Sequence, residues 1–236
     1  MIVQIGNFFF RCRNGLFPLL YILIFLNGPT AFPDSRLGLL IGVLVAMSGQ
    51  ALRAVTVGLD YIVRGGRKRQ VYADRLVHGG IFAHCRNPLY VGNCLILIGI
   101  GTAANSLLFL ALGVPFFLFA YWAIIAAEEA YLRGKFGEEF TKYCARVNRL
   151  LPNFSGLSKT LEGMRYNWKR LITAEYGSAY IWMAAILLAS LKNRWFAGEY
   201  DIHDSNVRTV WSLLALVSVA YMVARYLKKR GMLENR

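Results

Sequence analysis

Six apolar runs divide this chain, separated by polar or charged blocks, over residues 16–32, 37–63, 89–104, 107–127, 176–191 and 210–226. A helix rises about 1.5 Å per residue, so roughly 20 residues cross a bilayer core. The first run is weakened by Asn27 and Pro29, and the second is interrupted only by Gln50, Arg53 and Asp60. The third is short, so its helix is expected to begin in the headgroup region, with Arg86-Asn87-Pro88 as its entry. Proline suits that place because the first helical turn leaves its N–H groups unsatisfied anyway. Asn105-Ser106 makes a polar turn before the fourth run, which ends at the adjacent acids Glu128-Glu129. The pattern predicts an all-α polytopic membrane helix bundle of about six transmembrane helices.

Charge sets the topology. The chain has 236 residues, is 56% hydrophobic and carries a formal charge of +14. Nucleic-acid binding would intersperse that charge with aromatics on soluble elements. Here lysine and arginine instead gather in alternate loops: Arg64, Arg67, Lys68, Arg69 and Arg75 between runs two and three, and 133–170 between runs four and five. Arg11 and Arg13 precede the first run, and Arg225, Lys228, Lys229 and Arg230 close the last. The other loops hold few cations, diluted by Glu199, Asp201 and Asp204. The positive-inside rule therefore places both termini in the cytoplasm, with an even number of crossings. The location expected is an integral membrane, the inner membrane if the protein is bacterial. Pro29-Thr30-Ala31-Phe32 makes a poor cleavage site, so the first run is read as a membrane helix and not as a signal peptide. Three segments are expected: residues 1–77 with two helices and a basic loop, 78–154 as a core, and 155–236 as an interfacial segment with two more helices.

The cysteines show no CxxC spacing, and His78, His84 and His203 are dispersed, so neither disulfides nor a metal site is expected. The chemistry concentrates in residues 80–152. Gly80, Phe82, Arg86-Asn87-Pro88, Tyr90 and Gly92 come first, then Glu128-Glu129, Phe136-Gly137, Tyr143 and Val147-Asn148-Arg149-Leu150-Leu151-Pro152. An arginine and two acids bracketing a membrane-length apolar segment are costly unless they serve a function. Acids at a helix C-terminal end also oppose its dipole. This ordered set resembles the integral-membrane methyltransferase family that includes isoprenylcysteine carboxyl methyltransferase and the phospholipid N-methyltransferases. Gly49 and Leu52-Arg53 extend the resemblance, which covers about residues 49–152.

The resemblance implies an S-adenosyl-L-methionine-dependent methyltransferase acting on a lipid-like or isoprenylated acceptor that enters from the bilayer. On those terms Arg86 pairs bidentately with the cofactor carboxylate. Glu128 and Glu129 accept from the ribose hydroxyls or the ammonium. Tyr90, Phe136 and Tyr143 flank the adenine or the sulfonium. Asn87, Pro88 and Arg149 complete the binding set, and Arg53, Arg86 and Glu129 are the expected catalytic groups. Gly99 and Gly101 match a glycine pair of some of these methyltransferases, with plain helix packing an equal alternative. Arg53 either lines the site or is internally paired; Asp60 lies seven residues on, on the same helical face.

Two departures qualify the resemblance. Asn87 stands where the family often has histidine, and an amide cannot shuttle a proton near neutral pH. That suits an acceptor already ionised, a carboxylate or thiolate. The tail also runs on past Pro152, where 157–176 mixes apolar and basic residues in the manner of an interfacial helix. A nicotinamide-dependent membrane reductase of the sterol-reductase type and a non-catalytic binding scaffold are the rival readings. Nucleic acid is excluded as a partner, and the oligomeric state is left open.

Overall fold

The computed structural model describes residues 1–59, 73 and 75–233. Among these the chain is all helical: α1 Ile2–Leu20, α2 Ser35–Leu59, α3 Pro88–Ala103, α4 Val114–Arg146, α5 Leu157–Glu162, α6 Trp168–Phe196 and α7 Ser205–Lys229. Four stretches are long and apolar enough to cross a membrane, namely Ser35–Leu59, Phe109–Arg146, Trp168–Phe196 and Ser205–Lys229. The protein is a membrane protein. Asp60 and the loop cations Arg64, Arg67, Lys68 and Arg69 lie outside the described residues.

The helices of α1–α4, α6 and α7 alternate in direction. Gly6 near the start of α1 lies against Ala123 and Ala127 of α4, whereas Tyr21 just past α1 meets Phe109. At that second end Asn105 exchanges hydrogen bonds with the backbone of Phe32, and Lys192 of α6 reaches the carbonyl of Ala104. Met1 and Lys229 therefore sit at the same end of the bundle as Glu128. Phe9, Phe117, Ile100, Ile124 and Ala185 belong to one continuous core between these helices.

Close approach sets the α2–α3 contact. A Cβ built on Gly42 would fall 2.2 Å from the amide nitrogen of Ala103, and one on Gly99 would fall 2.5 Å from that of Ala46. Small residues let two backbones meet where lipid offers no hydrophobic drive for association. Gly99 is thus a packing residue, and Gly101 faces Phe109 and Leu110. Both lie more than ten residues along α3 from Pro88, roughly 16 Å or more at the helical rise.

Three elements differ from the sequence reading. The first run was placed at 16–32, but α1 begins at Ile2 and carries Arg11 and Arg13 within it. Polar residues among Ile2, Ile5, Phe9 and Phe10 lower the hydropathy there, yet those apolar side chains pack on α4 and the core. The fourth helix does not end at Glu128-Glu129. It continues to Arg146 through a bend at Gly137, whose φ of 52° is a conformation that glycine adopts freely. Glu128 and Glu129 therefore lie within the helix and not at its C-terminal dipole. The expected interfacial helix over 157–176 is instead the single-turn α5, a break, and the start of α6 at Trp168. Asn167 caps α6 by accepting from the backbone N–H of Arg170 at 2.8 Å.

Arg53 is buried at 3% exposure and internally paired. Its Nε lies 2.8 Å from Glu175 Oε2 and its Nη2 3.1 Å from Oε1, with Ser178 at 3.2 Å and Asn93 completing the set. Gln50 donates to Glu175 and accepts from Trp182. The expected catalytic role for Arg53 gives way to a structural one, because its guanidinium is consumed by α3 and α6. Removing one partner of such a buried pair costs about 3–5 kcal/mol, whereas replacing both by apolar residues is often neutral. Glu175→Gln should therefore lower the midpoint of thermal unfolding in detergent sharply, and Arg53→Met with Glu175→Leu should recover most of the loss.

Candidate functional site

The site lies at the Glu128 end of the bundle, where the entry to α3, the middle of α4 and the segment after Arg146 converge. Pro88 occupies the first turn of α3, and Asn87 is its N-cap residue without a side-chain cap bond. The Asn87 amide is used elsewhere: Nδ2 donates to the carbonyl of Arg149 at 3.0 Å. The Arg86 backbone N–H donates to the Asn148 carbonyl at 3.0 Å, and the Asn153 N–H donates to the His84 carbonyl at 2.9 Å. Residues 84–87 and 148–153 are thereby laced together, which brings Arg86 and Arg149 beside one another although 63 positions separate them in sequence.

Both arginines meet Glu129. Arg149 approaches the carboxylate with Nε at 3.1 Å and with Nη2 on the second oxygen, and Arg86 Nη1 lies 3.4 Å from Oε1. Glu129 is 9% exposed, so its charge is held out of water and needs both partners. One donor is left over. Arg86 Nε is buried and has no hydrogen-bond partner. Next to this cluster, Tyr90 donates its hydroxyl to Glu128 at 3.0 Å and packs its ring 5.3 Å from that of Tyr121. Arg13 of α1 interacts electrostatically with both Glu128 and Tyr90, and its guanidinium rests 4.3 Å above the Phe10 ring.

The sequence-selected residues thus fall into groups. Arg86, Asn87, Pro88, Tyr90, Glu128, Glu129 and Arg149 come together. Tyr143 stands at the edge, donating its hydroxyl to the Phe82 carbonyl at 2.7 Å. Phe136 is half-buried just before the Gly137 bend, with Lys135 over its ring. Gly99, Gly101 and Arg53 are not brought to the cluster. Arg13 escaped the sequence reading because it was taken as loop, and Glu175 because it lies at the flank of an apolar run. His84 was dismissed as a metal ligand; it clamps the strap after the motif, with Nδ1 2.7 Å from the Asn153 carbonyl and Nε2 2.9 Å from Thr160 Oγ1. Burial pushes the Cys85 thiol up, against the opposing pull of the Asn87 backbone N–H and the Arg86 guanidinium.

Fold and site together define a polytopic helical membrane protein with a guanidinium–carboxylate cluster at one end of the bundle. The comparisons make this more specific: residues 37–139 match the phospholipid methyltransferase family model, within the family that the motifs resemble. The match takes in Arg86-Asn87-Pro88, Tyr90 and Glu128-Glu129, and leaves Arg13, Arg149 and Glu175 outside. Among curated proteins, the chain is 36% identical over 90 residues to the cobalt-zinc-cadmium resistance protein CzcN of Cupriavidus metallidurans, across 38% of this chain and 39% of that protein. It is 30% identical over 116 residues to the nickel-cobalt-cadmium resistance protein NccN of Alcaligenes xylosoxydans xylosoxydans, across 49% of each. These matches thus span half or less of the relatives' own lengths. No solved structure matches the chain. Among the described residues, no group of three or more His, Cys, Asp or Glu side chains is placed to hold a metal ion.

The Asn87–Arg149 bond generates a prediction. Asn87→Asp replaces a donor by an acceptor facing a carbonyl, and leaving that buried group unmatched costs about 1–3 kcal/mol. Asn87→His keeps an N–H and should be tolerated. Thermal unfolding of the two variants should show the aspartate form clearly less stable than the histidine form.

Proposed function

We propose that this protein is an integral-membrane methyltransferase that uses S-adenosyl-L-methionine and acts on an amphipathic acceptor at the cytoplasmic face. The observation that carries this reading is the buried, unpartnered Nε of Arg86 beside a carboxylate-rich, aromatic-walled cluster. The residues fit the group. Arg86 spends Nη1 on Glu129 and leaves its buried Nε as half of a fork that a carboxylate would fill bidentately. Glu128, oriented by Tyr90, supplies negative field for an ammonium or a sulfonium. Glu129 is engaged by two arginines, so its part is to hold Arg86 and Arg149 in register. Tyr90 and Tyr121 offer ring faces for cation–π contact with a positive centre.

Bound there, S-adenosylmethionine supplies an electrophilic methyl group for in-line transfer to the nucleophilic atom of the acceptor. The protein contributes positioning and exclusion of water. Asn87, standing where the resemblance often has histidine, is an amide committed to the Arg149 carbonyl, and Cys85 is committed to the Leu150 carbonyl at 3.4 Å, so neither of these two removes a proton. An acceptor already ionised, such as a carboxylate or thiolate, suits that arrangement. The relatives are named for metal resistance. In this chain, methyl transfer would bear on cation tolerance through its acceptor, because esterifying a carboxylate removes a charge that cations bind.

Ligand-induced stabilisation tests the reading. S-adenosylmethionine should raise the thermal midpoint of the purified protein, and NADPH should not. Arg86→Lys retains charge but lacks the planar fork, so it should melt near the parent without ligand. It should bind the cofactor roughly ten- to a hundredfold more weakly, the loss of a charged hydrogen bond of about 1.5–3 kcal/mol. Stabilisation by NADPH alone would favour the reductase reading, and equal cofactor-induced shifts for parent and variant would remove Arg86 from the site.

A further inference from the structure

A second polar cluster lies at the same end of the bundle, between α6 and α7 and apart from the site above. The rings of Tyr176 and Tyr180 stack on Tyr221 of α7, with centroids 5.4 and 4.6 Å away. Lys228 reaches across from α7 to donate to the Thr173 carbonyl at 2.9 Å, with its ammonium 5.3 Å from the Tyr176 ring centre. Arg225 Nη1 donates to the Tyr221 hydroxyl at 2.9 Å. Thr173 Oγ1 is buried and has no hydrogen-bond partner. A bland account makes Arg225 and Lys228 mere counter-charges for the C-terminal dipole of α7. That account leaves unexplained why Lys228 turns back onto the other helix, and why an unused hydroxyl lies where it lands.

We propose that this α6–α7 mouth binds the phosphate of an anionic phospholipid in the cytoplasmic leaflet. An ammonium has three donors and a guanidinium five, so one bond from each to protein leaves most of their capacity for phosphate oxygens. The Thr173 hydroxyl adds a neutral donor at the base of the groove. Ile172 of α6 and Met222, Val223 and Tyr226 of α7 are exposed beside the mouth and suit acyl chains. A free phosphate would gain nothing from those apolar neighbours. A zwitterionic headgroup would bring an ammonium, quaternary or primary, up to two cations, so the chemistry selects a headgroup without one. Juxtamembrane cations are attracted to an anionic leaflet in this manner. The site does not depend on the methyltransferase reading.

The full chain, delipidated in detergent, tests this with three probes: phosphatidylglycerol or phosphatidylcholine in mixed micelles, and inorganic phosphate. Thermal unfolding and native mass spectrometry of retained lipid provide the readouts. Phosphatidylglycerol should stabilise the parent and remain bound, phosphatidylcholine should do so much less, and inorganic phosphate should have little effect. Arg225→Gln with Lys228→Gln should weaken phosphatidylglycerol binding by on the order of tenfold or more, since each interfacial cation contributes several-fold. Lys228→Arg should preserve it. If the double variant melts lower without lipid, Thr173→Val decides instead: isosteric loss of the hydroxyl should lower affinity for phosphatidylglycerol severalfold and leave phosphatidylcholine unaffected. Equal responses to the two lipids, retained selectivity in the neutral variants, or an equal effect of inorganic phosphate would each overturn the proposal.

Discussion

The end of the bundle that holds the cluster depends on the carboxylate of Glu129, a nearly buried acid that needs partners. Arg149 covers one side of it and Arg86 the other. Those arginines belong to segments far apart in sequence, so satisfying the acid also fixes the path of the chain. The backbone lacing of 84–87 to 148–153 carries the arginines to the required place, and the ion pairs hold them there. The same constraint leaves donor capacity unspent. Two guanidiniums cannot both exhaust their donors on a single carboxylate, and the excess appears as the free Nε of Arg86.

The remainder of the bundle is arranged so that this end can be rigid. Glycines at 42 and 99 let α2 and α3 approach to backbone contact, which fixes the rotation of α3. Asn93, one turn beyond Tyr90, is tied to Arg53 and through it to Glu175 of α6. The phase of α3 is thus fixed on two sides, and Tyr90 is aimed at Glu128 as a consequence. A network in a membrane interior gives such precision only when every member is satisfied, and here Gln50, Ser178 and Trp182 supply the remaining partners.

What the sequence made legible follows from the range over which each signal acts. Apolar runs report on lipid contact, and they located α2, α3, α6 and α7 to within about two turns at each end but stopped well short of the end of α4 at Arg146. They misplaced α1, because its membership of the bundle rests on apolar side chains facing α4 and not on mean hydropathy. The ordered motif picked out residues that the fold brings together, namely Arg86, Asn87, Glu128, Glu129 and Arg149. It could not separate Glu128 from Glu129. Adjacent residues on a helix point about 100° apart, and only the packing shows that one faces Tyr90 while the other faces the arginines. Gly99 and Gly101 illustrate the reverse case: a glycine pair reads the same whether a ligand or another helix comes close.

The matched family segment ends at residue 139, yet the protein's charge accounting does not. Arg53 lies inside that segment, and its counter-ion Glu175 lies outside, on α6. Glu129 lies inside, and Arg149 outside. A buried arginine without its acid is strongly destabilising, and residues 37–139 do not contain every counter-charge that this chain uses. The tail supplies counter-charges that the core requires, and Tyr166 fits its ring against Gly58 while Asn167 donates to the Gly58 carbonyl at 2.8 Å. The C-terminal third is therefore packed into the bundle, against α2, and not an appendage to it. Any transfer of activity from relatives that share only the matched segment has to include how they neutralise the position equivalent to Arg53.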